Sequence, residues 1–358
     1  MYRFNLQGRT GLADRLADAC LWLVATAHII AAVAFLSLLF SLSPASAATK
    51  CHGQNLLPRL EADDPAAYSR LIQEAKATPN GEGIFWRIEK AGTPPSYLLG
   101  TMHVTDPRVL AMPKGASDAY KAAGTVVIES DEIADEKKAS AALLARPDLT
   151  MFTDGRTIPG LLGKKDSAIL AAGLKARGMS LAAVSRMKPW MIASFVALPA
   201  CEMARKQSGA AFLDQQLAKD AIRDGKTLKG LETLLEQISA LDSLPVEPQL
   251  AGLIEVVQLG DGIEDVIETM SQLYLAGQTG MIMPMMRAAV PEGQDGEAGY
   301  ADFEQRIIID RNHRMAERAA PILDAGNAFV AVGALHLPGK EGLVELLRQE
   351  GFTVTPML

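Results

Sequence analysis

The sequence is poor in several features that would each indicate a particular class of protein. It has 3 cysteines and no Cys-x-x-Cys pair, which argues against a zinc site built from cysteines. Its formal net charge of −7 argues against a surface for duplex nucleic acid, because such a surface needs clustered lysine and arginine. It also lacks a phosphate-binding loop, a dinucleotide fingerprint, His-Glu-x-x-His and Gly-x-Ser-x-Gly. We therefore expect no nucleic-acid partner, and several common hydrolase motifs are excluded.

The first 47 residues have the pattern of an export signal. Three arginines precede an apolar run from about residue 20 to residue 42, and the small residues Ala45, Ser46 and Ala47 follow it. Cleavage after Ala47 would leave residues 48–358 as a single domain, periplasmic or secreted. The run is also long enough to cross a bilayer, so an uncleaved membrane anchor is the alternative. We expect contact with a membrane only through this N-terminal segment.

Two cysteines remain once the predicted leader is removed. They are Cys51 and Cys201. Two thiols in an oxidising compartment are expected to pair, so the sequence predicts a disulfide between them. The alternative is a pair of buried free thiols.

The order of predicted elements indicates an α/β fold. Five short apolar segments are predicted strands: 84–89, 97–100, 125–128, 329–332 and 352–355. From about 132 to 290, apolar spacing of three and four residues indicates helices, with one strand-like interruption at 226–229. We expect a central sheet formed by the N- and C-terminal parts of the mature chain, with a mainly helical insertion between them.

Four of the predicted strands are followed by a residue that can bind a metal or transfer a proton. These residues are His103, Glu129, Glu232 and His336. Because ligand sites in α/β sheets form beyond the carboxyl ends of the strands, we expect the four side chains to lie together. Both histidines follow an apolar strand in a Gly-x-x-His motif, where the glycine would permit a tight turn out of the sheet.

Two imidazoles with one or two carboxylates are typical of a catalytic Zn, Mn or Co site that keeps a position open for water. Such an ion lowers the pKa of its water to about 7, so the predicted reaction is hydrolysis. Glu129 and Glu232 are each candidates for metal ligand and for general base, and the sequence leaves both assignments open. Glu232 has a competing interpretation, because Thr233 and Glu236 form a capping box that would make it an acid at a helix N-terminus.

An arginine on a predicted helix is a further candidate. Arg311 shares the apolar face of the helix predicted at 303–323. An inward-facing guanidinium needs an anion. It would bind a substrate carboxylate or a transition-state oxyanion, or it would pair with Glu129 or Glu232 as part of the structure.

At these residues the chain resembles the TraB/GumN family, which includes the Tiki-type metalloproteases. The matching segments extend over the chain after the leader: 96–103, the strand ending at Glu129, 189–190, 230–233 with 236–237, 311–312 and 333–339. The resemblance implies an α/β fold like that of the erythromycin esterases and the haem-binding ChaN proteins, with a helical insertion. It also implies metal-dependent peptidase chemistry, with His103, Glu129, Glu232 and His336 at the site.

We therefore expect an exported metal-dependent hydrolase that acts on a peptide or another small substrate. One divalent ion would be held by His103, His336 and one carboxylate, with the other carboxylate as base and Arg311 orienting the substrate. Two alternatives use the same residues. One is a noncatalytic protein that binds haem, a metal or a peptide, and the other is a metal-independent esterase in which His103 activates water directly.

Overall fold

The computed structural model describes residues 50–289 and 296–357. The predicted leader at 1–47 lies outside these residues, so it stays a prediction. Within the described ranges, no helix is long and apolar enough to cross a membrane.

In the described part of the chain, six strands form one mixed sheet. The strands are β1 (Phe85–Glu89), β2 (Ser96–Thr101), β3 (Thr125–Ile128), β4 (Thr227–Gly230), β5 (Ala328–Gly333) and β6 (Thr353–Pro356). Their order across the sheet is β4-β3-β5-β2-β1-β6. Strands β4, β3, β5 and β2 are mutually parallel, whereas β1 is antiparallel to both β2 and β6. The four parallel strands therefore end together, at what we call the carboxyl end of the sheet.

Helices precede, connect and follow these strands. Before β4 they are α1 (Leu57–Asp63), α2 (Pro65–Ala77), α3 (Pro107–Leu110), α4 (Ala116–Ala122), α5 (Glu136–Leu144), α6 (Pro147–Thr150), α7 (Ile158–Leu161), α8 (Lys164–Ala176), α9 (Pro189–Val196), α10 (Ala200–Gln207) and α11 (Leu213–Arg223). After β4 they are α12 (Leu234–Asp242), α13 (Val246–Leu259), α14 (Ile263–Leu275), α15 (Ile282–Ala289), α16 (Gly296–Phe303), α17 (Asp310–Asp324) and α18 (Leu343–Gln349). A π-helical turn, Glu304–Ile309, leads into α17.

The predicted α/β class is confirmed, and β4 refines the predicted arrangement. This strand lies inside the mainly helical stretch, yet it pairs with β3, with Ile128 opposite Gly230. Its residues alternate between exposed and half-buried, which is typical of a strand at the side of a sheet. The helical stretch is therefore divided by a strand that belongs to the sheet. The finer likeness to erythromycin esterases and ChaN proteins stays a prediction.

Helices cover both faces of the sheet because its central strands are apolar on both sides. Along β5, Phe329 and Ala331 pack in the cluster that contains residues of α4 and α11. Val330 and Val332 pack in the opposite cluster, with residues of α17 and α18. A run of consecutive buried residues is what parallel strands covered on both faces require. A separate apolar cluster joins α8, α9 and α13 in the helical part.

The predicted disulfide is present. Cys51 and Cys201 are bonded, with their Cα atoms 5.4 Å apart. The bond ties the segment before α1 to α10. The two cysteines are separated by 150 residues, so the bond closes a long loop of chain.

Replacing both cysteines by serine should lower the free energy of unfolding by about 4 kcal/mol, because the unfolded chain regains the entropy of the open loop. Urea unfolding of the wild type and of the Cys51→Ser, Cys201→Ser variant measures this difference. A reductant should destabilise the wild type by a similar amount and leave the variant unchanged. A wild-type curve that does not respond to the reductant would contradict the prediction.

Candidate functional site

The four residues predicted from the strand ends follow the four parallel strands. His103 lies just beyond β2, Glu129 directly after β3, and Glu232 just beyond β4. His336 ends the 3-10 turn that follows β5. Glu129, Glu232 and His336 are buried, whereas His103 is exposed. All four side chains therefore lie at the carboxyl end of the sheet, but three are buried and that of His103 is exposed.

The glycines of the two Gly-x-x-His motifs are closely packed. A Cβ on Gly100 would lie 2.6 Å from Leu337 Cδ1 and 3.1 Å from Ala334 Cα. A Cβ on Gly333 would lie 3.1 Å from Glu129 Oε1. Neither glycine has a positive φ. The expected tight-turn role is thus replaced by a steric one, because other groups of the site approach both backbones closely.

Arg311 joins the two buried glutamates. Its Nη2 donates to Glu129 Oε2 at 2.6 Å, and its Nε donates to Glu232 Oε2 at 2.8 Å. Burial lowers the pKa of Arg311, but the two carboxylates outweigh this effect and raise it overall. The expected pairing of Arg311 with the strand-end carboxylates is therefore present in the structure.

The carboxylate of Glu232 is held by two arginines. Its Oε2 accepts from Arg311, and its Oε1 accepts from Arg314 Nη1 at 2.9 Å. The capping box predicted beside it is also present, with Thr233 and Glu236 bonded reciprocally at the start of α12. Both oxygens of Glu232 are therefore bonded, and the carboxylate is the counter-ion of Arg311 and Arg314.

Glu129 has one oxygen turned toward the histidine after β5. Its Oε2 accepts from Arg311 and from Gln237 Nε2, the latter at 3.0 Å. Its Oε1 accepts from the Gly333 N–H at 2.7 Å and lies 3.8 Å from His336 Nε2. Burial raises the pKa of Glu129, but Arg311, the Gly333 N–H and the two histidines, which both carry a proton at the acid pH where this carboxyl titrates, together lower it to about 2. The carboxylate is ionised at neutral pH.

His336 is held as a neutral imidazole in one orientation. Its Nδ1 lies 2.6 Å from Asn312 Oδ1, and Asn312 Nδ2 donates to the Glu341 carbonyl oxygen at 2.7 Å. Since the amide oxygen of Asn312 is thereby the acceptor, Nδ1 carries the proton and Nε2 keeps a free lone pair. Burial lowers the pKa of His336 to about 4, although Glu129 opposes this shift. An imidazole fixed in this way is preorganised as a metal ligand.

His103 faces a carboxylate that the sequence did not indicate. Its Nε2 lies 3.7 Å from Oδ2 of Asp214, a residue in the first turn of α11. The ring centroid lies 4.9 Å from that of Phe212, and 54% of the side-chain surface is open to solvent. Burial lowers the pKa of His103, but Asp214, by its charge and its proximity, and Glu129 outweigh it and raise the pKa to about 9. In the metal-free protein this imidazole is therefore protonated at neutral pH.

Asp214 is the functional candidate that sequence reasoning missed. It shares a helix face with Leu217, Ala218 and Ala221, all of which are buried. A charged residue on an apolar helix face is the signal that indicated Arg311, and it was available here as well. Gln237 and Arg314 were likewise not recognised as partners of the strand-end carboxylates.

The donor groups at this end of the sheet, imidazoles and carboxylates, are of the kind that binds a divalent cation. In residues 50–289 and 296–357, no three His, Cys, Asp or Glu side chains are close enough to form a metal cage. Two imidazole–carboxylate pairs are present instead, with N···O distances of 3.7 Å and 3.8 Å. Both distances are longer than that of a hydrogen bond. They are near the separation of about 3.4 Å expected between two ligands of a tetrahedral ion with bonds of about 2.1 Å.

The fold and the site define an α/β protein with imidazole and carboxylate groups gathered at the carboxyl end of a parallel set of strands. The chain belongs to the TraB/PrgY/gumN family, whose model matches residues 84–356.

Three relatives illustrate this membership. The chain is 24% identical over 320 residues to "Metalloprotease TIKI homolog" of Nematostella vectensis, which covers 77% of this chain and 67% of the relative. It is 25% identical over 335 residues to "Metalloprotease TIKI2" of Danio rerio, covering 82% and 64% of the two chains. It is 26% identical over 324 residues to "Metalloprotease TIKI1" of Danio rerio, covering 77% and 64%. The chain thus spans about two thirds of the length of these relatives. No solved structure matches it.

The Glu232→Gln substitution should destabilise the protein by about 3 kcal/mol, because it leaves Arg311 and Arg314 short of a buried counter-charge. Urea unfolding checks this value. Glu236→Gln is the matched control: its ion pair with Arg318 is partly exposed and glutamine preserves the capping box, so the loss should stay below about 1 kcal/mol. Equal losses in the two variants would contradict the prediction.

The burial of neutral His336 should make the metal-free protein sensitive to acid. Its pKa in the folded state is about 4, against an ordinary value of 6.5, so the unfolded chain takes up the proton first. The free energy of unfolding should fall by up to about 3 kcal/mol as the pH drops from about 6.5 to about 4. His336→Gln should reduce this slope when urea unfolding is measured at several pH values in the presence of a chelator. Identical slopes for variant and wild type would count against the assignment.

Proposed function

We propose that this protein is a divalent-metal-dependent hydrolase, and that the bond it cleaves is a peptide bond. The observation that carries the proposal is the pair of imidazole–carboxylate contacts at the carboxyl end of the sheet, 3.7 Å and 3.8 Å across. His103, His336 and Glu129 would hold the ion. The choice of a peptide bond is supported by the relatives named metalloproteases.

The side chains around the ligands have separate roles in this proposal. Asn312 fixes the tautomer of His336 and directs its Nε2 lone pair toward Glu129. Arg311 and the Gly333 N–H hold Glu129 ionised and in one orientation. A divalent ion bound there would polarise a carbonyl group and promote the ionisation of water. His103, the more exposed imidazole, marks the side from which a substrate would approach.

In this proposal neither strand-end glutamate is the general base. Glu129 is a metal ligand, and Glu232 positions another residue. Glu129 is a weak base because its pKa is lowered to about 2, but the same ionised state suits a ligand. Glu232, with both oxygens bonded to arginines, is a positioning residue that acts through Arg311. We assign Arg311 to holding Glu129 in place.

The charge of His103 disfavours the metal-independent esterase. With a pKa of about 9, its imidazole carries a proton at neutral pH and cannot accept another from water. A noncatalytic protein that binds haem, a metal or a peptide remains the alternative. We further propose that the protein is exported, a view supported by the Cys51–Cys201 disulfide, since such bonds persist in oxidising compartments.

Peptide cleavage should require an added or retained divalent ion. Purified protein is incubated with a peptide library, and the products are identified by mass spectrometry before chelation, after chelation, and after Zn, Mn or Co is restored. Cleavage should fall at least roughly 100-fold on chelation and in His103→Ala and His336→Ala, because polarisation by the ion is lost. His313→Ala is the matched control: it removes an exposed histidine on α17 that pairs with Glu341.

The outcomes separate the candidate functions. Hydrolysis that persists in metal-free protein would exclude the metal-dependent mechanism. A Soret band on haem titration, with no cleavage of any library peptide under any metal condition, would instead favour the noncatalytic binder.

A further inference from the structure

A buried carboxylate oxygen faces the site without a hydrogen-bond partner. Asp214 is 2% exposed, and its Oδ1 accepts from Thr101 Oγ1 at 2.8 Å. Its Oδ2 has no hydrogen-bond partner among the residues that the structure describes. A buried oxygen left in this state costs free energy unless something else binds it.

The surroundings of Asp214 repeat those of Glu129. In each carboxylate, donors hold the group in place: Thr101 Oγ1 for Asp214, and the Gly333 N–H with Arg311 for Glu129. In each, one oxygen then faces a histidine Nε2 at a distance longer than a hydrogen bond, 3.7 Å for Asp214 and 3.8 Å for Glu129. Thr101 ends β2, and His103 follows it closely, so one strand end positions both members of the first pair.

The sequence predicted two carboxylates at the site, Glu129 and Glu232, and left open which of them is a metal ligand. The carboxylate of Glu232 is fully engaged by Arg311 and Arg314. Asp214, by contrast, has an oxygen available on the side of His103. Asp214 is therefore a better candidate than Glu232 for a second carboxylate ligand of the site.

We propose that Asp214 binds the same cation as His103, as the second carboxylate ligand of the site. The ligand set is then two imidazole–carboxylate pairs, His103 with Asp214 and His336 with Glu129. This inference rests on the proposed function, since it concerns the same ion. Its rival is a purely structural role, in which Asp214 only orients the His103 ring.

Cobalt(II) binding distinguishes these roles without a substrate. Asp214→Asn keeps the shape and the Thr101 contact but removes the charge, and Asp214→Cys replaces the carboxylate by a shorter side chain that ends in a thiolate. The apparent Kd for CoCl2 is measured by calorimetry, and the absorption of the cobalt-loaded proteins is recorded. Asp220→Asn and Asp220→Cys, on the more exposed side of the same helix, are the matched controls. Circular dichroism confirms that each variant is folded.

If Asp214 is a ligand, Asp214→Asn should weaken cobalt binding at least about tenfold. Asp214→Cys should add a thiolate-to-cobalt charge-transfer band in the near ultraviolet, because a thiolate in contact with the ion binds it directly. Neither change should appear in the Asp220 variants. The cobalt d–d absorption of Asp214→Asn should also differ from that of the wild type, which gives a second readout if the cysteine variant does not fold.

The proposal would be overturned if Asp214→Asn bound cobalt more weakly but kept the d–d absorption of the wild type, and Asp214→Cys lacked the new band. That result would show that Asp214 only orients His103. Unchanged affinity in Asp214→Asn would also overturn the proposal. In both cases the proposed function would stand, because the wild type still binds the ion. A wild type that binds no divalent ion would instead remove the proposed function itself.

Discussion

The buried guanidinium of Arg311 is the interaction on which the site depends. Parallel pairing of β3 and β4 brings Glu129 and Glu232 close together in the protein interior, where two negative charges would repel each other. Arg311 lies between them and bonds to both. By doing so it also fixes α17 against the carboxyl end of the sheet. The next residue of that helix, Asn312, is thereby brought to the imidazole of His336.

This arrangement gives the two histidines different states. His336 is buried and neutral, with its free lone pair directed at an ionised carboxylate. His103 is open to solvent on one side and, in the metal-free protein, protonated beside Asp214. A cation bound beside Asp214 would displace the proton of His103. The half of the site around His336 is therefore preorganised, whereas the half around His103 would change its protonation state when an ion binds.

Much of the framework could be predicted from the sequence because its signals are local. Short apolar runs specify the strands, and the capping box at Thr233 specifies the start of α12. The segment 226–229 was expected among the strands that lead to the site, but its pairing with β3 was not, because the two strands are far apart along the chain. The partner of Asp214 could not be read from the sequence either, because Thr101 is 113 residues away. The helix face of Asp214 was the available clue.

X-ray diffraction from crystals loaded with a divalent transition metal, recorded on both sides of its absorption edge, tests the central claim most directly. The account predicts one anomalous peak at the carboxyl end of the sheet, within bonding distance of Nε2 of His103 and of Nε2 of His336. A peak elsewhere, or two imidazoles that remain separated by packed side chains in the metal-loaded protein, would contradict it.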